Sequence, residues 1–529
     1  MDATVMTMEQ EPAAVNGSRF LERLPVWISR ILPLWLPRQR WFGSKGRAIR
    51  QITVRDASRL TSNAGDVQAL VLADVQFEGG GNDETYFLPV CLLTEAQAAQ
   101  IDPDRVMARI PTPDAVWIVA DGVADPDLRR ALLASLTEVE SSPAAPGAFH
   151  FQRTQNSAAL FPWLDKLPAS GSSRLLRAEQ SNTSMVFSDD GQSPRLLLKC
   201  FRRVMPGLNP DYEITRALTE QTSFRSVPLL AGSILWQSSS SSEPWILGIF
   251  QAFVANQGDG WEYTLHQLQA VLTETDRQRR QMLLEAIRQL ARRTAEMHLA
   301  LASVTQDAAI APEPITGDDL SAWEQQVAAQ MQAAAQELTG RVGELPAAWR
   351  ERAAAVAHGL ASATAAALPG NLTHGVHKVR IHGDYHLGQV LRSDAGDFVL
   401  FDFEGEPARP LAWRRKKWCV LKDVAGMLRS FGYAAHVAAA AAPGHDEEAR
   451  QWEQSARREF WKEWEALIRS GDTVLLPESD DDTRAVLRVF ELEKAIYELG
   501  YELHHRPDWV GVPLAALERL LKPGTEERI

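Results

Sequence analysis

Apolar residues recur at helical spacing from Phe20 to Leu36, and the pattern stops in the Pro33 and Pro37 region. The first 18 residues ahead of it are polar and acidic, a composition that predicts disorder. From Ile52 to Leu93 the pattern becomes strand-like, in runs such as Ala69-Leu70-Val71-Leu72 and Tyr86-Phe87-Leu88-Pro89-Val90. Gly79-Gly80-Gly81-Asn82-Asp83 between two of these runs predicts a hairpin turn. A Pro/Ala/Gly-containing linker follows at Ser141–Gly147. Beyond it, Ser184–Phe187 and Arg195–Lys199 flank the turn residues Asp189-Asp190-Gly191. A helix is expected from about Pro210, then a strand pair around the serine run Ser238–Ser242, and a further strand over Trp245–Val254. After Asn256–Gly260 the chain reads as helical: one long segment over Leu265–Leu301, then Leu320–Leu338 and Ala347–Ala367. That pattern breaks at Gly370, Arg380–Asp402 reads as loop and short strands, and helices resume to the C-terminus. The division expected is 1–18 disordered, 19–140 a small α+β cap, 141–256 a β-rich lobe and 257–529 a helical lobe.

A chain of 529 residues exceeds what one hydrophobic core organises, which agrees with that division. The formal net charge of −13 argues against nucleic acid as a partner, because such proteins usually carry a basic footprint. No stretch approaches the roughly 20 apolar residues that span a bilayer, and the Ala-rich run after Phe431 reads as a buried helix. The N-terminus lacks the apolar core of a signal peptide. Cys91, Cys200 and Cys419 are far apart and match no metal or redox spacing, which suits a reducing compartment. A cytoplasmic protein with no membrane association is therefore expected. The 16 tryptophans read chiefly as core, with some as platforms for pyranose rings.

The chemistry concentrates in Ile381-His382-Gly383-Asp384-Tyr385-His386-Leu387-Gly388-Gln389. As a catalytic loop, Asp384 accepts a hydroxyl proton and Gln389, five residues on, offers its carbonyl oxygen to Mg²⁺. His382 would brace the loop. The other readings of His-x-Asp-x-His are a metal cluster and a plain polar turn. The apolar run Phe398–Phe401 then delivers Asp402 to a strand end, and Gly405 permits a sharp turn. Gln389 and Asp402 lie at opposite ends of a short hairpin, so their oxygens can converge on one hard cation. In the β-rich lobe, Lys199 ends an apolar strand, and Glu213 follows fourteen residues later in the expected helix. That is the spacing of a phosphate-binding lysine and the glutamate that holds it. Ser181-Asn182-Thr183, between two strands, could cover nucleotide phosphates with backbone N–H groups. The junction Gln251–Val254 is where backbone groups would meet adenine. Together these point to phosphoryl transfer from ATP with Mg²⁺.

With those motifs in place the sequence resembles the bacterial maltokinases. The likeness rests on Arg40-Trp41-Phe42-Gly43-x-Lys45-Gly46-Arg47, on the His382–Leu391 and Asp402–Pro407 segments, on Leu421–Ser430, and on the tail from Tyr497 to Leu514. It runs from about Phe20 to Leu521. It implies a bilobal α+β protein-kinase-like fold related to aminoglycoside phosphotransferases, with an extra N-terminal cap. It implies phosphorylation of the anomeric hydroxyl of maltose to maltose 1-phosphate, feeding α-glucan synthesis, and association with a trehalose synthase. By position, Asp384 would be the base, Gln389 and Asp402 the Mg²⁺ ligands, and Lys199 with Glu213 the phosphate-positioning pair. Asp384 and His386 would face the sugar, as would Lys494, Tyr497 and Tyr501. Those last three fall at i, i+3 and i+7, one face of a helix.

Three rivals stand beside this reading. An amino-sugar or aminoglycoside kinase of the same fold would surround a cationic acceptor with carboxylates, and the tail offers Glu498 and Glu502. A catalytically inactive kinase fold, acting as partner of a glucan-making enzyme, would lack one of Lys199, Asp384, Gln389 or Asp402, and all four are present. A metal hydrolase built on His382, Asp384 and His386 would work without nucleotide. The Arg40–Arg47 stretch suggests no role beyond a contact between cap and lobe.

Overall fold

The computed structural model describes residues 5–12, 17–60, 67–137, 147–166, 172–176, 181–189, 193–239, 243–274, 277–363 and 368–522. Two compact units divide the chain: residues 1–216 with 228–253, and residues 217–227 with 254–529.

In the first unit a seven-stranded sheet runs in the order Met6–Thr7, Val106–Pro111, Val116–Asp121, Glu84–Thr94, Val67–Phe77, Ile49–Arg59. The short strand Arg203–Val204 also pairs with Glu84–Thr94, so the β-rich lobe contributes a strand to the cap's sheet. The glycines of the predicted hairpin turn, Gly79, Gly80 and Gly81, all have positive φ, which side-chain-bearing residues rarely adopt. A second, six-stranded sheet runs Ala148–Arg153, Leu230–Gln237, Trp245–Ala252, Ser193–Phe201, Asn182–Asp189, Ser173–Leu175. The expected hairpin of Asn182–Asp189 with Ser193–Phe201 is present as an antiparallel pair. The serine run beyond Ser239, the turn at Asp190-Gly191 and the linker before Gly147 lie outside the described residues.

The strand Val67–Phe77 explains why its sequence runs apolar with no polar alternation. Ala69, Val71, Ala73 and Val75 pack with Trp27, Ile28, Ile31 and Trp35 of the helix Gly17–Trp35. Leu70 and Leu72, pointing the other way, share a core with Met185, Leu198 and Ile249 of the second sheet. A strand buried on both faces has no solvent side to be polar. The cap and the β-rich lobe, expected to part at residue 140, are therefore joined by one hydrophobic core inside one unit.

Another difference lies at the N-terminus. Met6–Thr7 pairs in parallel with Ala108 and Arg109. The buried carboxylate of Glu11 accepts hydrogen bonds from Arg23 at 2.7 Å and Trp27 at 3.0 Å. Composition pointed to disorder here because the segment has little apolar surface of its own; backbone pairing and one buried ion pair hold it instead.

The second unit is mainly helical. The segment expected as helical over Leu265–Leu301 is helical in Gly260–Glu274 and Arg277–Ser303, and residues 275 and 276 lie outside the described residues. Gly317–Arg341 and Ala347–Ser362 follow as expected. The Ala-rich run belongs to the buried helix Leu421–Ala441. Asp446–Arg469, Asp480–His505 and Gly511–Leu520 complete the set used below. Among the described residues no helix is long and apolar enough to cross a membrane. The tryptophans fill the core: Trp27, Trp35, Trp452 and Trp464 are fully buried.

Candidate active site

The loop carrying Asp384 leaves an isolated bridge between Val379 and Trp418 and enters the strand Val390–Ser393. Its shape is imposed from behind. The backbone N–H groups of His382 and Gly383 donate to the two oxygens of Asp423, at 2.8 and 2.9 Å. Asp423 sits in the first turn of Leu421–Ala441 and is buried, as is His298 of Arg277–Ser303. His298 Nδ1 accepts from the Trp464 indole at 3.2 Å, so its Nε2 carries the proton and donates to Asp423 at 3.2 Å. Burial opposes ionisation of Asp423, but His298 and the loop N–H groups outweigh it and hold the carboxyl below its usual range. Further along, Leu387 N–H donates to Ser430 Oγ at 3.0 Å. Gly426 lies so close that an added Cβ would stand 2.5 Å from the Tyr385 carbonyl oxygen, so only glycine lets this helix meet the loop.

His382 does brace the loop. Its Nε2 donates to the Phe401 carbonyl at 3.0 Å, and its ring packs on Phe403, centroids 4.8 Å apart. That bond ties the loop to the segment bearing Asp402. The strands Val390–Ser393 and Phe398–Leu400 pair antiparallel with Val390 opposite Leu400, and Phe401 N–H donates to Gln389 O at 3.2 Å. Gln389 and Asp402 thus flank one hairpin end, as the spacing predicted. Asp402 has φ +67°, a left-handed conformation that costs a non-glycine residue roughly 1 kcal/mol and that clusters at functional sites. His386 Nδ1 accepts from Gly388 N–H at 3.0 Å, and burial lowers the ring's pKa despite Asp384 nearby. The neutral ring then keeps its proton on Nε2.

Asp384 itself is paired. Lys494 Nζ lies 3.0 Å from Asp384 Oδ1 and 3.4 Å from Glu406 Oε1, with side-chain exposures of 17%, 21% and 6% in that order. Burial pushes Asp384 up, yet the Lys494 ammonium and His386 pull harder and hold it at about 2. Burial likewise disfavours the Lys494 charge, and Asp384 with Glu406 more than offsets that, raising its pKa. Glu406 also takes Arg409 at 3.1 Å. Tyr497 lines the same small pocket, its ring 4.8 Å from Lys494 Nζ. Tyr501, one turn on, is 44% exposed and stacks on His505. The helix Asp480–His505 therefore brings Lys494 and Tyr497 to Asp384, while Tyr501 faces solvent.

In the first unit, Lys199 is buried in the strand Ser193–Phe201, and its Nζ donates to Asp211 Oδ2 at 2.8 Å. Asp211 stands in the first turn of the helix Pro210–Gln221, two residues before Glu213, which is also buried. The sequence reading passed over Asp211. Asn182 and Thr183 open the strand Asn182–Asp189, and Ser181 precedes it, exposed. Thr183 is buried, with its Oγ1 accepting from Arg202 at 2.8 Å. Gln251 lies near the end of Trp245–Ala252, opposite Leu197, with Val254 just beyond.

Residues 35–125 match the maltokinase N-terminal cap domain, and residues 174–405 match the phosphotransferase enzyme family. The chain thus joins a segment that matches a maltokinase-type cap to one that matches the phosphotransferase family. A glucosamine kinase of Mycolicibacterium smegmatis (strain ATCC 700084 / mc(2)155) is 27% identical over 429 residues, 80% of this chain and 95% of that protein. A glucosamine kinase of Streptacidiphilus jiangxiensis is 29% identical over 286 residues, 54% of this chain and 59% of that protein. Among solved structures, a glucosamine kinase in complex with glucosamine, ADP and inorganic phosphate superposes with a TM-score of 0.61 at 20% identity. That match covers 89% of this chain and 94% of the other. The chain has a protein-kinase-like fold.

Proposed function

We propose that this phosphotransferase moves the γ-phosphoryl group of ATP to the anomeric hydroxyl of maltose, giving maltose 1-phosphate. The observation that carries the choice of acceptor is Lys494 bridging Asp384 and Glu406. A cationic amino sugar needs an uncommitted carboxylate, and the carboxylates around the pocket are engaged. Glu406 holds Lys494 and Arg409, and Glu493 takes Lys422 and Gln326. The tail carboxylates that favoured an amino sugar are engaged as well: Glu498 by Arg429 at 2.6 Å, Glu502 by Arg506 at 2.8 Å and Tyr433 at 3.1 Å. The Lys494 ammonium already lines the pocket, which disfavours a second cation there by like-charge repulsion. A neutral polyol meets no such penalty. The maltokinase-type cap supports the same acceptor.

Asp384 accepts a hydrogen bond from the acceptor hydroxyl and aims its oxygen. A carboxyl held at about 2 is a weak base, and phosphoryl transfer through a loose transition state asks mainly for alignment and charge neutralisation. Lys494 keeps Asp384 ionised, and His386 offers its Nε2 hydrogen to the sugar. Gln389 and Asp402 are oxygen donors suited to Mg²⁺ and would hold it. A bound Mg²⁺ supplies neutralisation of phosphate charge. Lys199, oriented by Asp211, contacts the nucleotide phosphates.

The second reading, glucosamine as acceptor, is favoured by the names of the relatives alone. Incubation with ATP, Mg²⁺ and a panel of maltose, glucose, glucosamine and kanamycin separates the two, with ADP release followed and the phosphate located by ³¹P NMR. Turnover with maltose and phosphate on the anomeric carbon is expected. Turnover with glucosamine in its place overturns the acceptor, and silence across the panel overturns the enzyme.

A further inference from the structure

The Arg40–Arg47 stretch and the buried Arg202 are unused by the chemistry above, and they meet. Arg202 directly follows the strand that carries Lys199, and its side chain is wholly buried. Its Nε donates to Thr183 Oγ1 at 2.8 Å, and its Nη2 donates to both oxygens of Asp121, at 2.8 and 3.1 Å. Arg105 reaches the same carboxylate at 2.6 Å. The Trp41 ring covers the guanidinium, 4.9 Å from its carbon to the ring centroid. The Arg202 carbonyl accepts from Phe87 N–H at 2.8 Å. Trp41, Phe87, Arg105 and Asp121 belong to the cap; Thr183 and Arg202 belong to the phosphotransferase region.

We infer that Arg202 is a positioning residue for the nucleotide, through which the cap fixes the phosphate-side turn. The inference rests on the phosphoryl-transfer reading and extends it to the cap. Thr183 and Ser184 pair with Cys200 and Lys199, so the start of the strand Asn182–Asp189 and the lysine share one ladder. The guanidinium pins Thr183 from below with planar, directional bonds, and its orientation comes from Asp121 and Trp41. The cluster holds two guanidinium cations for one carboxylate, and Arg202 Nη1 is buried with no hydrogen-bond partner among the described residues. Arg202 is wholly buried, so its charge is weakly screened and favours an anionic ligand near Thr183.

The test is nucleotide affinity of the full chain without sugar, read by titrating a fluorescent ATP analogue with Mg²⁺. Each variant's fold is checked by circular dichroism and melting temperature. Arg202→Lys keeps the charge and loses the fork, and should weaken binding roughly tenfold, below the roughly hundredfold that a larger misplacement can cost at a distance. The cap substitution Trp41→Leu should weaken it in the same direction. Thr183→Val should weaken it as well, and Thr183→Ser, which keeps the acceptor oxygen, should restore it. Combining Arg202→Lys with Thr183→Val should add little beyond either alone, since both act on one contact. The KM for sugar should not move in any of them. Wild-type affinity in folded Arg202→Lys and Thr183→Val, or full additivity in the double variant, overturns the inference. A wild-type chain that binds no nucleotide overturns the phosphoryl-transfer reading itself, and this inference with it.

Discussion

The loop Ile381–Gln389 and the strand Ser193–Phe201 each present one charged group to the proposed reaction, and they are held by different means. The strand needs little help. Lys199 sits in a ladder with neighbours on both sides, and a carboxylate twelve residues on completes its support. The loop has no ladder at Asp384. Its backbone N–H groups go to Asp423, and Asp423 depends in turn on His298 and Trp464, from two further helices. Regular structure positions a side chain almost for nothing, whereas an irregular segment needs buried polar partners from elsewhere in the chain.

That contrast can be broken most sharply in the loop. Asp384→Asn should lower turnover on the order of a thousandfold while lowering the melting temperature much less than Asp423→Asn does. Asp423→Asn should lower both, because it weakens the acceptor of two buried backbone N–H groups; breaking such a site costs about 3–5 kcal/mol. Steady-state rates beside thermal melts separate the pair, and a stable, inactive Asp423→Asn would remove the distinction. In the strand, Lys199→Met should raise the ATP KM by roughly ten- to a hundredfold with the sugar KM unmoved and the fold intact, since the ladder does not need the ammonium. Competitive shifts in both KM values would count against it. The smallest effect is on acid stability. The folded Asp384 carboxyl is depressed from 3.8 to about 2, so its contribution is present above the unfolded value and fades as pH falls from about 4 towards 2. Melts across that range should show wild type losing more stability than Asp384→Asn; parallel curves would contradict the pairing with Lys494.

What was legible in the sequence follows the same line. His382, Asp384, Gln389 and Asp402 lie within one short stretch, so their spacing encodes their geometry, and the hairpin between Gln389 and Asp402 formed as read. Lys494 and Tyr497 were legible as one helical face, though nothing local revealed that Tyr501 points to solvent. The supports were harder to see. Asp423 is an acid within Val420-Leu421-Lys422-Asp423-Val424-Ala425, and a charge in so apolar a helix was the signal that it is buried with partners. His298 and Trp464 carry no such mark, because a hydrogen bond across 166 residues leaves no periodicity. Asp211 was passed over because spacing drew attention to Glu213, the other buried acid in the same helical turn. The order at Met6–Thr7 and Glu11 escaped for another reason: composition measures apolar surface, and that segment is held by backbone pairing and one ion pair.

The cap's strand Val67–Phe77, apolar on both faces, sets a timetable for synthesis. One face finds its helix in residues 17–35, already made when the strand leaves the ribosome. The other face waits for partners at Met185, Leu198 and Ile249, more than a hundred residues later. Until about half the polypeptide has emerged, that nascent sheet exposes an oily surface that only the helix Pro126–Thr137 can partly cover. The interval is when chaperones would be needed most, and a fragment ending near residue 140 would carry the exposure permanently.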